Sequence, residues 1–252
     1  MPDKNLPQDT GARAPIAVLP QYWSDEPSRR RYLDRLFDGT AGDYDFVERL
    51  LGFGSGPWHR HQALQSAGLR SGMHVLDIAT GTGLVAREAL KLVGPGGRVV
   101  GLDPSAGMLA QAGTLSIPLI RGLGERLPCA DASFDFISMG YALRHVADLE
   151  GLFSEMRRVL KPGGTACVLE ITKPRSAFVA VPLRVFMTGV VPLVARVMRH
   201  NSSGGDLMKF YWDTIDACVP PEKVIEALKR AGFATVDRRI ALGMFSDYVA
   251  VK

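Results

Sequence analysis

From His74 onward, short apolar runs alternate with segments whose apolar residues recur every three or four positions. Val75, Leu76 and Ile78 read as a buried parallel strand over 75–78, and after the small residues 79–83 a helix is expected over 84–92. Gly94-Pro95-Gly96-Gly97 ends that helix, and Arg98–Asp103 gives the next strand. Ser105 is placed to cap a short helix reaching 111, followed by a brief strand over 118–120 and a fourth over 134–139. Across 148–160, Leu149, Leu152, Phe153, Met156 and Val159 share one helical face; Lys161-Pro162-Gly163-Gly164 stops it, and 165–170 is a fifth strand. A helix over 222–229 precedes 235–240 and Phe245–Val251, read as a closing antiparallel pair. Such alternation predicts an α/β fold with a doubly wound, mostly parallel sheet.

Upstream the pattern changes. Residues 28–70 read as two helical pieces, with Leu33, Leu36 and Phe37 in the first turns and Val47, Leu50 and Leu51 later. Gly52-Phe53-Gly54-Ser55-Gly56-Pro57 separates them from Trp58-His59-Arg60-His61. Residues 1–25 are rich in Pro, Gly, Asp and Ala without periodicity, so a flexible arm is expected there, ahead of a single domain over 26–252. Within that domain, 175–215 interrupts the alternation as a helical cover insertion. Its core, 177–198, is apolar enough to suggest a transmembrane span, but Arg184, Arg196, Pro182 and Pro192 argue against one. The expectation is a lid over a greasy substrate tail with peripheral membrane contact, a homodimer face or ordinary core being the alternatives.

Composition narrows the function classes. At 252 residues the chain can bury one sizeable core. A net charge of +4 without a long basic tract excludes a phosphate-tracking surface, so no nucleic-acid partner is expected. Arg29-Arg30-Arg31, the densest cluster, reads as a solvated helix face. Cys129, Cys167 and Cys218 are scattered, which indicates neither a disulfide framework nor a metal site, and Cys167 reads as core. With no signal-peptide pattern in the first twenty positions, a cytoplasmic setting is the default expectation.

The chemistry centres on the bend after the first strand. Asp77 precedes the glycines, where a carboxylate repels a pyrophosphate and attracts an ammonium group. Ala79, Gly81 and Gly83 let a ligand approach bare backbone at a helix N-terminus. A nucleoside joined to an amino acid fits, and S-adenosyl-L-methionine is the common ligand of that kind. The rival is a dinucleotide site, since Asp103 lies 20 residues beyond Gly83, the spacing of a ribose-binding acid; against it, Val85 and Ala86 stand where a third glycine belongs.

Further motifs accumulate along the chain: the acid-bearing turn 127–137, the segment Arg158-Val159-Leu160-Lys161-Pro162-Gly163-Gly164, and Asp103 itself. Together with the Asp77 loop they resemble class I S-adenosylmethionine-dependent methyltransferases. Leu36-Phe37 with Ala41-Gly42-Asp43-Tyr44-Asp45, Leu143-Arg144-His145-Val146, Leu169-Glu170-Ile171-Thr172-Lys173-Pro174 and Ala231-Gly232-Phe233 narrow the resemblance to the C-methyltransferases of ubiquinone and menaquinone biosynthesis. That resemblance implies a Rossmann-like, seven-stranded sheet with helical N-terminal and lid segments.

It also implies site roles. Thr82 and the Gly81–Gly83 backbone would hold the methionyl part of the cofactor, with Asp77 acting through the loop or on the ammonium. Asp103 would accept both ribose hydroxyls, and Pro104 and Met108 would flank the adenine, core packing being their alternative. The chain departs from the family where Asn-Ala becomes Leu123-Gly124, where Ser becomes Gly140, and where an asparagine becomes His145. Leu123 can stack on a base but cannot accept its amino hydrogens.

Ring C-methylation of a quinol or phenol needs positioning, a phenolate-like oxygen and removal of a ring proton. Arg144 is expected to stabilise the phenolate, His145 to take a proton, Tyr141 to line the ring pocket and Asp148 to orient His145 or Arg144. Structural readings compete: Arg144 as a cap or a partner of Asp148, His145 as filling at a strand end. O- or N-methylation of an aromatic metabolite, or a non-methylating use of the same ligand, are the alternative functions.

Overall fold

The computed structural model describes residues 14–252 except 53, 175, 200–202 and 242. Seven strands form one sheet: β1 (His74–Ile78), β2 (Arg98–Asp103), β3 (Leu119–Arg121), β4 (Phe134–Gly140), β5 (Leu160–Ile171), β6 (Thr235–Ala241) and β7 (Phe245–Val251). Their order is β3-β2-β1-β4-β5-β7-β6, parallel through β5, with β7 antiparallel to both neighbours. The chain reverses its winding between β1 and β4, and a crevice opens there beyond the carboxyl ends of the strands. Ile78 stands level with Leu102 on one side and Met139 on the other. Residues 79, 103 and 140 therefore meet at one edge.

Helices cover both sheet faces. On one, α5 (Leu149–Val159) and α9 (Pro221–Arg230) bury Leu152, Phe153, Met156, Val224 and Leu228 against Leu76, Ile137 and Met139. On the other, α2 (Gly56–Ser66) and α3 (Leu84–Val93) bury Leu64, Val85, Ala89 and Val93 against Val75, Phe136 and Cys167. Adjacent strand residues thus serve opposite layers, which is why these strands are apolar on both sides. Ser105 caps α4 (Ala106–Ala112) by accepting from the Met108 amide.

A third cluster lies above the sheet edge. There α1 (Glu26–Leu51), started by a capping box between Asp25 and Ser28, packs with α7 (Val191–Arg199) and α8 (Ser203–Ala217) around Val47, Val191, Leu207, Met208, Phe210 and Trp212. Before α7, α6 (Ala177–Val185) runs into a π-helical turn at Phe186–Val190. That turn lies where Pro192 would otherwise crowd the carbonyl one helical turn earlier.

Two expectations need correction. The expected arm 1–25 lies outside the described residues up to 13, but Ile16 and Trp23 are buried in the third cluster, and Ile16 bridges to Cys218. The aromatic pair Tyr22-Trp23 outweighs the surrounding polar composition. The expected stop at Lys161–Gly164 is instead part of β5: Leu160 already pairs with Phe134, and the ladder resumes at Thr165 after a bulge. Gly163, at φ +75°, makes that excursion.

Candidate active site

The bend after β1 is tied from below. Asp77 is fully buried; one carboxylate oxygen accepts the Thr80 hydroxyl at 2.6 Å and the other the Ser138 hydroxyl of β4 at 2.6 Å. Burial pushes its pKa up to about 6, against those hydrogen bonds. With both oxygens engaged below the bend it does not line the cavity above. Of its two expected roles, through the loop or on an ammonium group, this placement fits the first. Thr82 also turns away, donating to Asp45 of α1 at 2.5 Å, and Gly83 faces Leu115, whose Cδ1 would lie 2.3 Å from an added Cβ. The cavity side of the bend is Ala79 and Gly81, both left-handed, at φ +52° and +58°.

Asp103, at the tip of β2, is 6% exposed and does reach the cavity. Its Oδ2 accepts the Gly81 amide at 2.8 Å and its Oδ1 the Ser105 amide at 2.8 Å. Burial pushes its pKa up to about 6, partly offset by those two donors. Each oxygen keeps capacity for a second donor. Pro104, Met108, Leu123, Gly124, Gly140, Tyr141, His145 and Asp148 also line this cavity of about 380 Å³. Gly140 is required sterically: a Cβ there would lie 2.5 Å from Val85 Cγ2. Gly140→Ala is expected to cost about 1–3 kcal/mol through overpacking, read as a lowered midpoint in thermal unfolding.

The roof is α1, which sequence reasoning missed. Asp38 accepts the Ser105 hydroxyl at 2.5 Å and the Gly107 amide at 2.9 Å, clamping α1 to the start of α4. Arg29 is buried and donates to the His145 carbonyl at 2.7 Å, so the arginine cluster is only partly a solvated face. The available signal was Asp38 and Asp45 seven positions apart, on one helix face.

Beyond the strand tips, Tyr44, Tyr141 and Tyr211 line both this cavity and a smaller one of about 90 Å³ beneath α6. Tyr141 is left-handed at φ +59°, its amide donating to the Leu169 carbonyl at 2.7 Å. Its hydroxyl lies 3.0 Å from His59 Nδ1, and burial raises its pKa.

His145 stacks on Phe210 at 5.5 Å and meets the edge of Phe37 at 5.3 Å. Neither ring nitrogen has a hydrogen-bond partner among the described residues. Burial, then Arg144 and Arg29, lowers its pKa well below the usual value, so it is a neutral imidazole at the cavity wall.

Arg144 and Asp148 depart from expectation. Arg144 is buried with Glu170 at 2.5 Å and also donates to the Tyr141 carbonyl at 2.8 Å and the Thr214 hydroxyl at 3.2 Å. It lines the smaller cavity and not the larger. Its partner is Glu170, not Asp148, because β5 passes directly beneath it. Asp148 caps α5 by accepting from the Glu150 and Gly151 amides at 3.0 Å.

This lining fits S-adenosyl-L-methionine. Asp103 offers acceptors for a pair of vicinal hydroxyls, and open space lies before Gly81, where an added Cβ meets nothing within 4 Å. The walls Ile78, Leu102, Met108 and Leu123 are apolar enough for a base. The ubiE/COQ5 methyltransferase family model matches residues 26–252. The chain belongs to that family. It is an S-adenosyl-L-methionine-dependent methyltransferase.

A demethylmenaquinone methyltransferase of Symbiobacterium thermophilum is 32% identical over 93% of this chain and 98% of its own length. A ubiquinone/menaquinone biosynthesis C-methyltransferase of Hahella chejuensis is 34% identical over 69% of this chain and 73% of its own. Among solved structures, a methyltransferase from Thermotoga maritima, described as a possible histamine N-methyltransferase, superposes with a TM-score of 0.61 at 21% identity. It covers 86% of this chain and 99% of that one. One from Aquifex aeolicus gives 0.57 at 20% identity, over 90% and 99%. At those identities the structures share the fold alone, and that fold is the one expected from the strand–helix alternation.

Proposed function

We propose that this methyltransferase transfers a methyl group to a ring carbon of a prenylated hydroquinone. The observation that carries this reading is the pair of cavities meeting at Tyr44, Tyr141 and Tyr211: one with a buried carboxylate and bare backbone, the other walled by Leu51, Leu183, Phe186, Met187 and Phe245. A flat ring held by three tyrosines sits between a sulfonium donor and an apolar channel. The relatives named above, a demethylmenaquinone methyltransferase and a C-methyltransferase of ubiquinone and menaquinone biosynthesis, support a substrate of that shape.

Bound S-adenosyl-L-methionine supplies an electrophilic methyl on sulfur. Asp103 would accept its ribose hydroxyls, Gly81 and Ala79 would present backbone to its methionyl part, and Pro104, Met108 and Leu123 would enclose the adenine. Asp77, Thr80 and Ser138 keep the bend in shape, while Asp38 and Asp45 hold α1 over it. His145, neutral and unpartnered, stands where it can receive a proton from the ring side.

The helical cover is apolar on both sides. Leu183, Phe186 and Met187 face the inner cavity, while Phe178, at 94% exposed, with Val181, Val185 and Leu193, faces outward. By length and composition Ala177–Ala195 is able to cross a membrane, yet Arg184 lies within it. This supports a cover resting on a lipid surface and drawing the substrate tail beneath it.

The test is product analysis. With a polyprenylated demethylmenaquinol and labelled cofactor, the new methyl is expected on ring carbon by NMR, with KM rising about tenfold or more when the tail is cut to one prenyl unit. A methyl found on oxygen or nitrogen overturns the carbon assignment. Tail-independent KM removes the channel.

A further inference from the structure

The smaller cavity holds a group of polar side chains for which the fold has no evident need. Arg60, on α2, is 2% exposed and paired with Glu48 of α1 through Nη2. Its Nε and Nη1 have no hydrogen-bond partner among the described residues. A buried guanidinium normally satisfies its donors, so two orphans at a cavity wall point to an oxygen ligand. The arrangement is sterically specific: a Cβ at Gly56 would lie 2.8 Å from Arg60 Nη1 and closer still to Glu48. Arg60 also faces the Tyr141 ring, its guanidinium carbon 5.5 Å from the centroid.

Next to Arg60, three residues distant in sequence line up. The Tyr141 hydroxyl is 3.0 Å from His59 Nδ1, and His59 Nε2 is 3.6 Å from Asp247 Oδ1 on β7. Both His59 and Asp247 are 7% exposed, and neither Nε2 nor Oδ1 has a closer partner among the described residues. Phe245 covers the imidazole at 4.7 Å. Burial lowers the His59 pKa and raises that of Asp247, so His59 is neutral, and in the tautomer that carries its proton on Nε2, facing Asp247, Nδ1 accepts from tyrosine.

We propose that Arg60, Tyr141, His59 and Asp247 form the site that binds and deprotonates the acceptor's phenolic oxygen. This rests on the quinol reading above and deepens it. The substrate O–H bond breaks as its proton passes to Tyr141 Oη, while the tyrosine's own proton moves to His59 Nδ1. The imidazolium so formed faces Asp247, and Arg60 donates its orphan N–H groups to the phenolate. The phenolate electron pair raises the density at the neighbouring ring carbon, which forms the bond to methyl. The ring C–H proton then leaves to His145, and from it to water, as aromaticity returns, and His59 gives its proton back through Tyr141 to the oxygen. Each proton is accounted for, and one is released per turnover.

Other charges face this chain. Glu48 neutralises Arg60 from α1, Arg239 on β6 bears on Asp247, and Glu170 on β5 bears on Tyr141.

The test needs no methyl transfer. The probe is 1-naphthol, whose ionised form absorbs to the red of the neutral form, titrated on the native protein, His59→Gln and Tyr141→Phe. The bound naphthol is expected to ionise at least one pH unit lower on the native protein than on either variant, a tenfold difference in its ionisation constant. In parallel kcat falls about a hundredfold while calorimetric affinity for S-adenosylhomocysteine is unchanged. Equal ionisation on all three proteins overturns the proposal, whatever happens to kcat. Should His59→Gln fail to fold, Tyr141→Phe, which removes one hydroxyl, decides alone. If naphthol fails to bind while quinols are still methylated on carbon, this oxygen site is wrong and the quinol reading stands. If neither occurs, the quinol reading fails with it.

Discussion

Asp103→Ala is expected to lower calorimetric affinity for S-adenosylhomocysteine by about a hundredfold. Two hydrogen bonds to an ionised carboxylate are each worth about 1.5–3 kcal/mol, and about 3 kcal/mol remains after partial compensation by water. The loss also frees the Gly81 and Ser105 amides that Asp103 now accepts, so the bend is less well ordered. The same residue sets a pH dependence. Its carboxyl has a pKa of about 6, above the ordinary 3.8, because burial disfavours the charge. Hydroxyl donors bind the ionised form best, so occupancy lowers that pKa. Affinity is therefore expected to climb as pH rises to about 6 and to level off above it, and Asp103→Asn flattens the profile. A profile flat in the native protein from pH 5 to 8 removes Asp103 from the ribose site.

Glu170→Ala is expected to destabilise the fold by about 3–5 kcal/mol, measured as a shift in urea midpoint at unchanged slope, because it strands the Arg144 charge in the interior. Arg144 is 1% exposed and Glu170 3%, and Glu170 also accepts the amides of Arg144, at 3.3 Å, and Ile171, at 2.8 Å. The paired replacement Arg144→Met with Glu170→Leu should recover most of that loss, since a buried ion pair and an apolar pair of similar volume are often equivalent. If the paired variant folds well and keeps turnover, Arg144 acts as architecture that fixes the Tyr141 carbonyl. A stable but inactive pair returns Arg144 to the acceptor chemistry.

The alternation of apolar runs and helical stripes was enough to place β1 through β7, because the central strands β1, β4 and β5 are buried on both faces and each flanking helix on one. Ser105 and Asp148 were legible as helix starts for a similar reason: a cap depends on residues within three positions. Asp103 at a strand tip, a short bend beyond Ile78 and the greasy insertion are likewise local facts. The facing of individual side chains was not local. Asp77 turns to Ser138, 61 residues on; Thr82 to Asp45, 37 residues back; Arg144 to Glu170, 26 residues on. Each was a sound candidate for a ligand until a distant group of opposite polarity claimed it, and spacing along a chain carries no record of such competition.

The sequence by itself determined an α/β sheet with a nucleoside-binding edge, since period and local caps are written in neighbouring residues. Only the tertiary structure decided which polar groups are spent on the fold and which remain for chemistry. It brings His59 of α2 to Tyr141, 82 residues away, and both to Asp247 on the last strand, beside Arg60 donors that have no partner among the described residues. That set exists because sheet order and helix packing put three separate elements around one small cavity, and burial there keeps each group from being satisfied by water.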